Sequence, residues 1–237
     1  MQARERLIVA LDVKSIEEAE GLIGALSPAV DVFKIGIAPF TGYGLPILDK
    51  LEEAGKKVFL DLKFHDIPNT VSNAAYVAAT KGVFMLNFHC LGGTKMMRRA
   101  REGAREGARS SGKEEPLLLG VTLLTSMDSQ EMASLGFSGS VQSKVLSLAE
   151  KAKEAGMDGV VASAREAEAI RKRFGRDFVI VTPGVRPGWA EAGDQKRVVT
   201  PKEALEKGAD YIVVGRPVIQ AEDPARAAER IIEDMSS

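Results

Sequence analysis

The chain has a single cysteine, Cys90, among 237 residues. An intramolecular disulfide framework and a cysteine-only zinc site are therefore excluded. Histidine is nearly as scarce: His65 and His89 are the only two, which leaves little material for a His-rich metal centre. Neither sign of charge is in excess, with 32 Lys+Arg against 33 Asp+Glu and a formal net charge of −1. That balance argues against a protein whose main task is to coat nucleic acid or an anionic membrane, and leaves a local basic site open. No apolar run reaches the ~18 residues of a membrane-spanning helix. Met1 to Arg6 are rich in charge and lead into a short apolar stretch, without the apolar core of a signal peptide. The expectation is a soluble, cytoplasmic protein that binds neither nucleic acid nor membrane.

What is present is an alternation of short β-branched runs with longer amphipathic stretches. Strands are predicted at Leu7–Leu11, Val32–Ile37, Lys57–Leu62, Val83–His89, Leu117–Leu124, Gly159–Ala162, Phe178–Thr182 and Tyr211–Val214. Helical periodicity fills the intervals, at Ile16–Leu26, Leu45–Ala54, Thr70–Lys81, Lys95–Ser110, Gln142–Ala155, Arg165–Phe174, Pro201–Lys207 and Pro224–Asp234. Several helical stretches end at glycine, as at Gly55, Gly82, Gly156 and Gly208, where a left-handed residue would stop the helix. The runs Tyr-Ile-Val-Val and Phe-Val-Ile-Val are continuously apolar, as suits parallel strands covered on both faces. Eight strand–helix repeats imply a single-domain (β/α)₈ TIM barrel spanning 1–237. An open doubly wound sheet fits less well, since no G-x-G-x-x-G follows the first strand. The longest stretch without periodicity, 183–200, follows the seventh strand and reads as a lid.

In such a barrel the chemistry sits at the carboxyl ends of the strands. Those ends carry Asp12, Lys34, Asp61-Leu62-Lys63, His89, Thr125, Pro183-Gly184-Val185-Arg186 and Gly215-Arg216. Asp61 and Lys63 are two apart on one strand, so both side chains are expected on the same face, and Lys34 on the neighbouring strand can join them. Buried charges need partners, so an alternating array of Lys and Asp is expected. An ammonium flanked by carboxylates is suited to donating a proton rather than to attacking as a free amine. A purely structural ion-pair cluster closing the barrel mouth is the alternative. Gly215-Arg216 follows the last strand, where barrels often bind phosphate on backbone N–H groups, or it is a tight turn with a surface arginine.

Other features read as structural. The mixed charges from Arg98 to Arg109 suit a solvated helix face, and Met96, Met97 and Met127 suit packing. Cys90 has no evident base beyond His89, and His89 reads as a hydrogen-bonded interior histidine.

The decamer Asp61-Leu62-Lys63-Phe64-His65-Asp66-Ile67-Pro68-Asn69-Thr70 resembles the D-x-K-x-x-D-I-x-x-T signature of the orotidine 5′-phosphate decarboxylase family. The resemblance extends to Asp12, Lys34, Leu124-Thr125-Ser126-Met127, Pro183-Gly184-Val185-Arg186-Pro187, Gln195 and Val214-Gly215-Arg216-Pro217, covering nearly the whole chain. It implies loss of CO₂ from orotidine 5′-monophosphate, with no cofactor and no metal. Lys63 would donate the proton to pyrimidine C6, Asp61 would lie beside the departing carboxylate, and Lys34 and Asp66 would complete the array. Asp12 and Lys34 would contact ribose hydroxyls, Thr125 would read the pyrimidine edge, and Pro183 would pack on the ring. Arg186, Gly215 and Arg216 would hold the phosphate, and Gln195 would bridge phosphate and base. The resemblance further implies a homodimer in which Asp66, Ile67 and Thr70 reach the partner's site.

Two other functions compete. A Mg²⁺-dependent sugar-phosphate decarboxylase or synthase of the same superfamily would carry a metal-binding Glu near the end of the second strand, where this sequence has Lys34. A non-catalytic nucleotide-binding barrel would need only the Gly215-Arg216 side. It leaves the charged array without a reason.

Overall fold

Eight β-branched runs too short to bury themselves singly close into one sheet. The computed structural model describes residues 2–189 and 199–236. Its strands are β1 (Leu7–Ala10), β2 (Val32–Gly36), β3 (Lys57–Phe64), β4 (Met85–His89), β5 (Leu117–Val121), β6 (Gly159–Val161), β7 (Val179–Thr182) and β8 (Tyr211–Val214). All neighbours pair in parallel and in sequence order, and β8 returns to β1, so the sheet is a closed barrel. This is the (β/α)₈ fold expected from the alternation. No helix among the described residues is long and apolar enough to cross a membrane.

Alternation along the strands places polar groups at one end of the interior. Val32, Phe59 and Met85 belong to the apolar cluster inside the barrel. Two residues further along the same strands stand Lys34, Asp61 and Asn87, all buried. The barrel is thus oily in the middle and charged at its carboxyl end. A larger apolar layer outside the sheet, including Phe33, Leu60 and Phe88, packs against the helices.

Several boundaries differ from the sequence reading. Ile37 begins the helix Ile37–Tyr43 instead of ending β2, and β5 stops at Val121 rather than running to 124. β3 runs on to Phe64. The short helices Ala3–Arg6, Ser129–Ser134 and Arg216–Ile219 were not anticipated, because one or two turns carry too little periodicity to read. Ser129–Ser134 is set by its cap: the Asp128 carboxylate accepts from the N–H groups of Gln130 and Glu131, both at 2.9 Å. The four glycines expected to stop helices all have positive φ, from 66° to 99°.

The helices that follow β3 and β4, Pro68–Thr80 and Gly93–Ser111, approach unusually closely. A Cβ on Gly103 would stand 2.1 Å from the Ser72 carbonyl oxygen, and one on Gly107 would stand 2.3 Å from that of Tyr76. The four-residue spacing puts both glycines on one face, so backbone meets backbone. Gly107→Ala is predicted to force the two helices apart and to destabilise the protein by ~1–3 kcal/mol, the usual range for overpacking. Denaturant unfolding of the variant checks this, and an unchanged midpoint would contradict the close approach.

Candidate active site

The charged end of the barrel is organised around Asp61. Its Oδ1 accepts from Lys63 Nζ at 2.7 Å and from Asn87 Nδ2 at 2.7 Å, and its Oδ2 lies 3.3 Å from Lys34 Nζ. Lys34 in turn lies 3.9 Å from Asp12 Oδ1. Asp61 and Lys34 are each only 9% exposed, so these contacts replace water rather than compete with it. Isolated burial of such charges costs several kcal/mol, and the chain Asp12–Lys34–Asp61–Lys63 offsets it by alternating sign. Leu11 N–H donates to the Lys34 carbonyl at 3.0 Å, which carries the chain past β1 to Asp12. Gly36 keeps the space clear: a Cβ there would stand 3.1 Å from Lys34 Nζ.

Lys63 reaches Asp61 by a different route from the one its spacing suggests. The β3–β4 ladder shifts register between Leu60 and Phe64, and Lys63 has φ +51°, the only positive value among the described non-glycine residues. A left-handed lysine costs on the order of 1–3 kcal/mol and persists only where its surroundings hold it. Bulges of this kind re-aim a side chain at the end of a strand. The holding contact is the Lys63 N–H, which donates to Asn87 Oδ1 at 2.7 Å. Asn87 did not figure in the sequence reading. Its signal was one amide in the apolar run Met-Leu-Asn-Phe, in phase with the inward-facing Met85.

A cavity of about 160 Å³ adjoins this cluster, lined by Asp12, Lys34, Arg186, Gly215, Arg216 and neighbours from β1, β8 and the segment after β7. Arg186 is buried, and its N–H donates to the Val199 carbonyl at 3.0 Å, which joins the two ends of the 183–200 segment. Gly215 precedes the short helix Arg216–Ile219. Arginines and a helix start around a small cavity suit an anion such as phosphate. Pro183 is half-buried at the end of β7. Thr125 is exposed on the loop after β5, and no contact to the cluster is seen. Gln195 and half of the expected lid, 190–198, lie outside the described residues.

Asp66 does not join the charged chain within this subunit. It is exposed, and its Oδ1 accepts from Ile67 N–H at 2.5 Å. Ile67 is 67% exposed, a large apolar side chain facing solvent, and Thr70 is exposed beside it. Lys34, Asp61, Lys63 and Asp12 are therefore brought together, and Asp66, Ile67 and Thr70 form a separate outward-facing edge.

Behind Lys63 the two histidines stack, with ring centroids 5.3 Å apart. His89 Nδ1 accepts from Leu91 N–H at 3.4 Å. Burial, then the nearby His65 and Lys63, hold the His89 imidazole below its usual range, so it is poised neutral. Burial pushes the Cys90 thiol up to about 12, which makes it an inert packing group. Among the described residues there is no cluster of three or more His, Cys, Asp or Glu suited to a metal ion.

A closed barrel with a charged carboxyl-end cluster beside an anion-sized cavity defines a class, the phosphate-ligand α/β barrels. Residues 5–231 match the model of the "Orotidine 5'-phosphate decarboxylase / HUMPS family", and the chain belongs to that family. A curated protein of Syntrophotalea carbinolica named orotidine 5'-phosphate decarboxylase is 50% identical, over 100% of this chain and 97% of that one. One of the same name from Moorella thermoacetica is 46% identical, over 99% of this chain and 94% of its own length. The solved orotidine 5'-phosphate decarboxylase of Lactobacillus acidophilus superposes with a TM-score of 0.86 at 38% identity, over 98% of this chain and 100% of that one.

The depressed His89 imidazole sets a pH dependence of stability. As pH falls through the ordinary histidine range near ~6.5, the unfolded chain takes up a proton before the folded one, so stability falls with it. His89→Asn, which keeps an acceptor for Leu91 N–H, is predicted to lose less melting temperature between pH 7 and pH 5 than the parent. Equal losses of the two proteins in thermal melts would contradict a neutral, half-buried His89.

Proposed function

We propose that this protein decarboxylates orotidine 5′-monophosphate to uridine 5′-monophosphate and CO₂, a step of pyrimidine biosynthesis, using fixed charges alone. The observation that carries the reading is the alternating Lys34–Asp61–Lys63 cluster beside the arginine-lined cavity. The relatives named as orotidine 5'-phosphate decarboxylases match over essentially the whole chain and support it.

Breaking the bond from C6 to the carboxylate leaves an electron pair in an sp² orbital, in the ring plane and out of conjugation with the ring carbonyls. Such a carbanion needs an adjacent positive charge that is already in place. Lys63 supplies it: its ammonium stabilises the charge building at C6 and then gives C6 a proton, so the CO₂ departs and the lysine is left neutral until solvent reprotonates it. In this reading Asp61 lies beside the departing carboxylate, and crowding of like charges raises the bound ground state as a secondary contribution. Lys34 pairs with Asp61 and, with Asp12, contacts the ribose hydroxyls.

The phosphate takes no part in bond breaking. In this reading Arg186, Gly215 and Arg216 hold it, and its binding energy is used to close the 183–200 segment and order the charges. Pro183 packs against the pyrimidine, Thr125 reads its edge, and Gln195 bridges base and phosphate. The chain acts as a homodimer, with Asp66, Ile67 and Thr70 crossing into the partner's site; the exposed Ile67 supports that arrangement. The protein works in the cytoplasm. A Mg²⁺-assisted reaction at the same place is disfavoured by charge: the Lys34 ammonium lies between Asp12 and Asp61, the carboxylates a metal would need. A binding-only role leaves the buried charges unexplained.

Lys63→Ala is predicted to lower turnover by ~10²–10⁴-fold or more, the contribution of a positioned general acid, while uridine 5′-monophosphate still binds. Loss of orotidylate absorbance measures the first and calorimetry the second; near-normal turnover would refute the proton-donor role. Arg216→Ala is predicted to cut kcat/KM for the phosphorylated substrate by roughly 10–100-fold, as expected for a lost charge-assisted contact, and to leave the dephosphorylated nucleoside almost unaffected. Equal losses for both substrates would refute the phosphate assignment.

A further inference from the structure

We infer that Asn87 is a positioning residue for the decarboxylation, setting the reacting geometry of Lys63 and Asp61 through both ends of its side-chain amide. The inference rests on the proposed function of the site. Asn87 is fully buried, and its two amide atoms each make a short contact to the charged cluster. Oδ1 accepts from the Lys63 N–H at 2.7 Å, and Nδ2 donates to Asp61 Oδ1 at 2.7 Å. The Lys63 ammonium closes the ring by donating to that same Asp61 oxygen at 2.7 Å. One amide therefore ties the backbone of the proton donor to the carboxylate that its side chain must meet.

The orientation of the amide is dictated by charge. Turned over, Oδ1 would face a carboxylate and the NH₂ group would face an N–H, with both contacts repulsive. The contact also falls where the backbone needs it. Lys63 has φ +51° at the register shift of β3, a conformation that reverts unless its N–H is held. A core asparagine with no task beyond packing would be an expensive choice beside Met85 and Leu86, which fill the same strand with apolar groups.

The charged and titratable groups around Asn87 are few. β3 presents Asp61 and Lys63, and Lys34 of β2 acts through Asp61. His89 lies two residues on along β4, and the cross-strand partner on β5 is the apolar Leu119. An ionisable group at position 87 would thus sit directly against Asp61.

Two variants test the inference, measured beside the parent protein with orotidine 5′-monophosphate as substrate and uridine 5′-monophosphate as the binding probe. Asn87→Leu keeps the branched shape and removes both contacts; kcat is expected to fall about 100-fold, the scale of a ~1 Å misplacement of a reacting group, with product affinity changed less than about threefold. Asn87→Asp keeps the shape. While protonated, its carbonyl oxygen accepts from Lys63 N–H and its hydroxyl donates to Asp61; once ionised, it opposes Asp61 as a like charge. Its kcat is expected to approach the parent's at acid pH and to fall at least tenfold as pH rises, through one ionisation that the parent profile lacks. A merely structural asparagine would give no such new limb. A kcat for Asn87→Leu within threefold of the parent overturns the inference. So does an Asn87→Asp pH profile that superimposes on the parent's, which decides the matter even if the leucine variant does not fold. A parent protein that fails to turn over the substrate overturns the proposed function, whereas an active parent with indifferent variants overturns the role of Asn87 alone.

Discussion

A carboxylate buried to 9% exposure has to be answered by positive charge and by hydrogen-bond donors, and Asp61 is answered from three sides. Lys34 comes from β2, Lys63 from the end of β3 itself, and the Asn87 amide from β4. Remove the barrel and these groups have no reason to converge; remove the charges and the barrel's mouth would have no reason to be polar. The desolvation that makes Asp61 costly is also what makes the cluster useful, because charge acts strongly where water is excluded and the dielectric is low. The same constraint accounts for the left-handed Lys63, whose backbone departs from the strand so that its ammonium can return to Asp61.

Around the barrel two tasks are divided by strand. β2 and β3 contribute the alternating charges Lys34, Asp61 and Lys63, and β4 contributes the Asn87 amide that joins them. β1, β8 and the segments that follow β1, β7 and β8 line the anion-sized cavity, with Asp12, Arg186, Gly215 and Arg216. Lys34 belongs to both sets, since it touches Asp61 and also lines the cavity. A ligand anchored by its phosphate would therefore press on a residue already coupled to the reacting end. Such an arrangement lets remote binding energy act on the chemistry. The outward-facing edge at Asp66, Ile67 and Thr70 lies on the same loop and helix start that follow Lys63, so a partner docking there would touch the chain within a few residues of Lys63.

Strand existence was legible because parallel strands covered on both faces are continuously apolar, and eight such runs leave few topologies. The pairing of Asp61 with Lys63 was also legible from their spacing, yet the route was not: the alternation argument assumes a regular strand, and β3 is bulged there. Asn87 escaped notice because a single amide in an apolar run looks like an interruption until the neighbouring strand shows what it faces. The short helices at Ile37–Tyr43 and Arg216–Ile219 escaped because one or two turns carry too little period to read. Asp66 shared a motif with Lys63, and proximity in sequence did not bring it to the cluster within one subunit.

By itself the sequence determined the number and order of the strands, the position of every charged side chain along them, and the motif that marks the family. These are properties of composition and period, which are local. Only the tertiary structure decided which charges touch. Closure of the sheet sets β2, β3 and β4 side by side, and contacts such as Lys34–Asp61 and Asp61–Asn87 span 26 or more residues of chain. Such distances are fixed by the register of hydrogen-bonded neighbours and by one strained φ, and neither is written in the spacing of residues along a single strand.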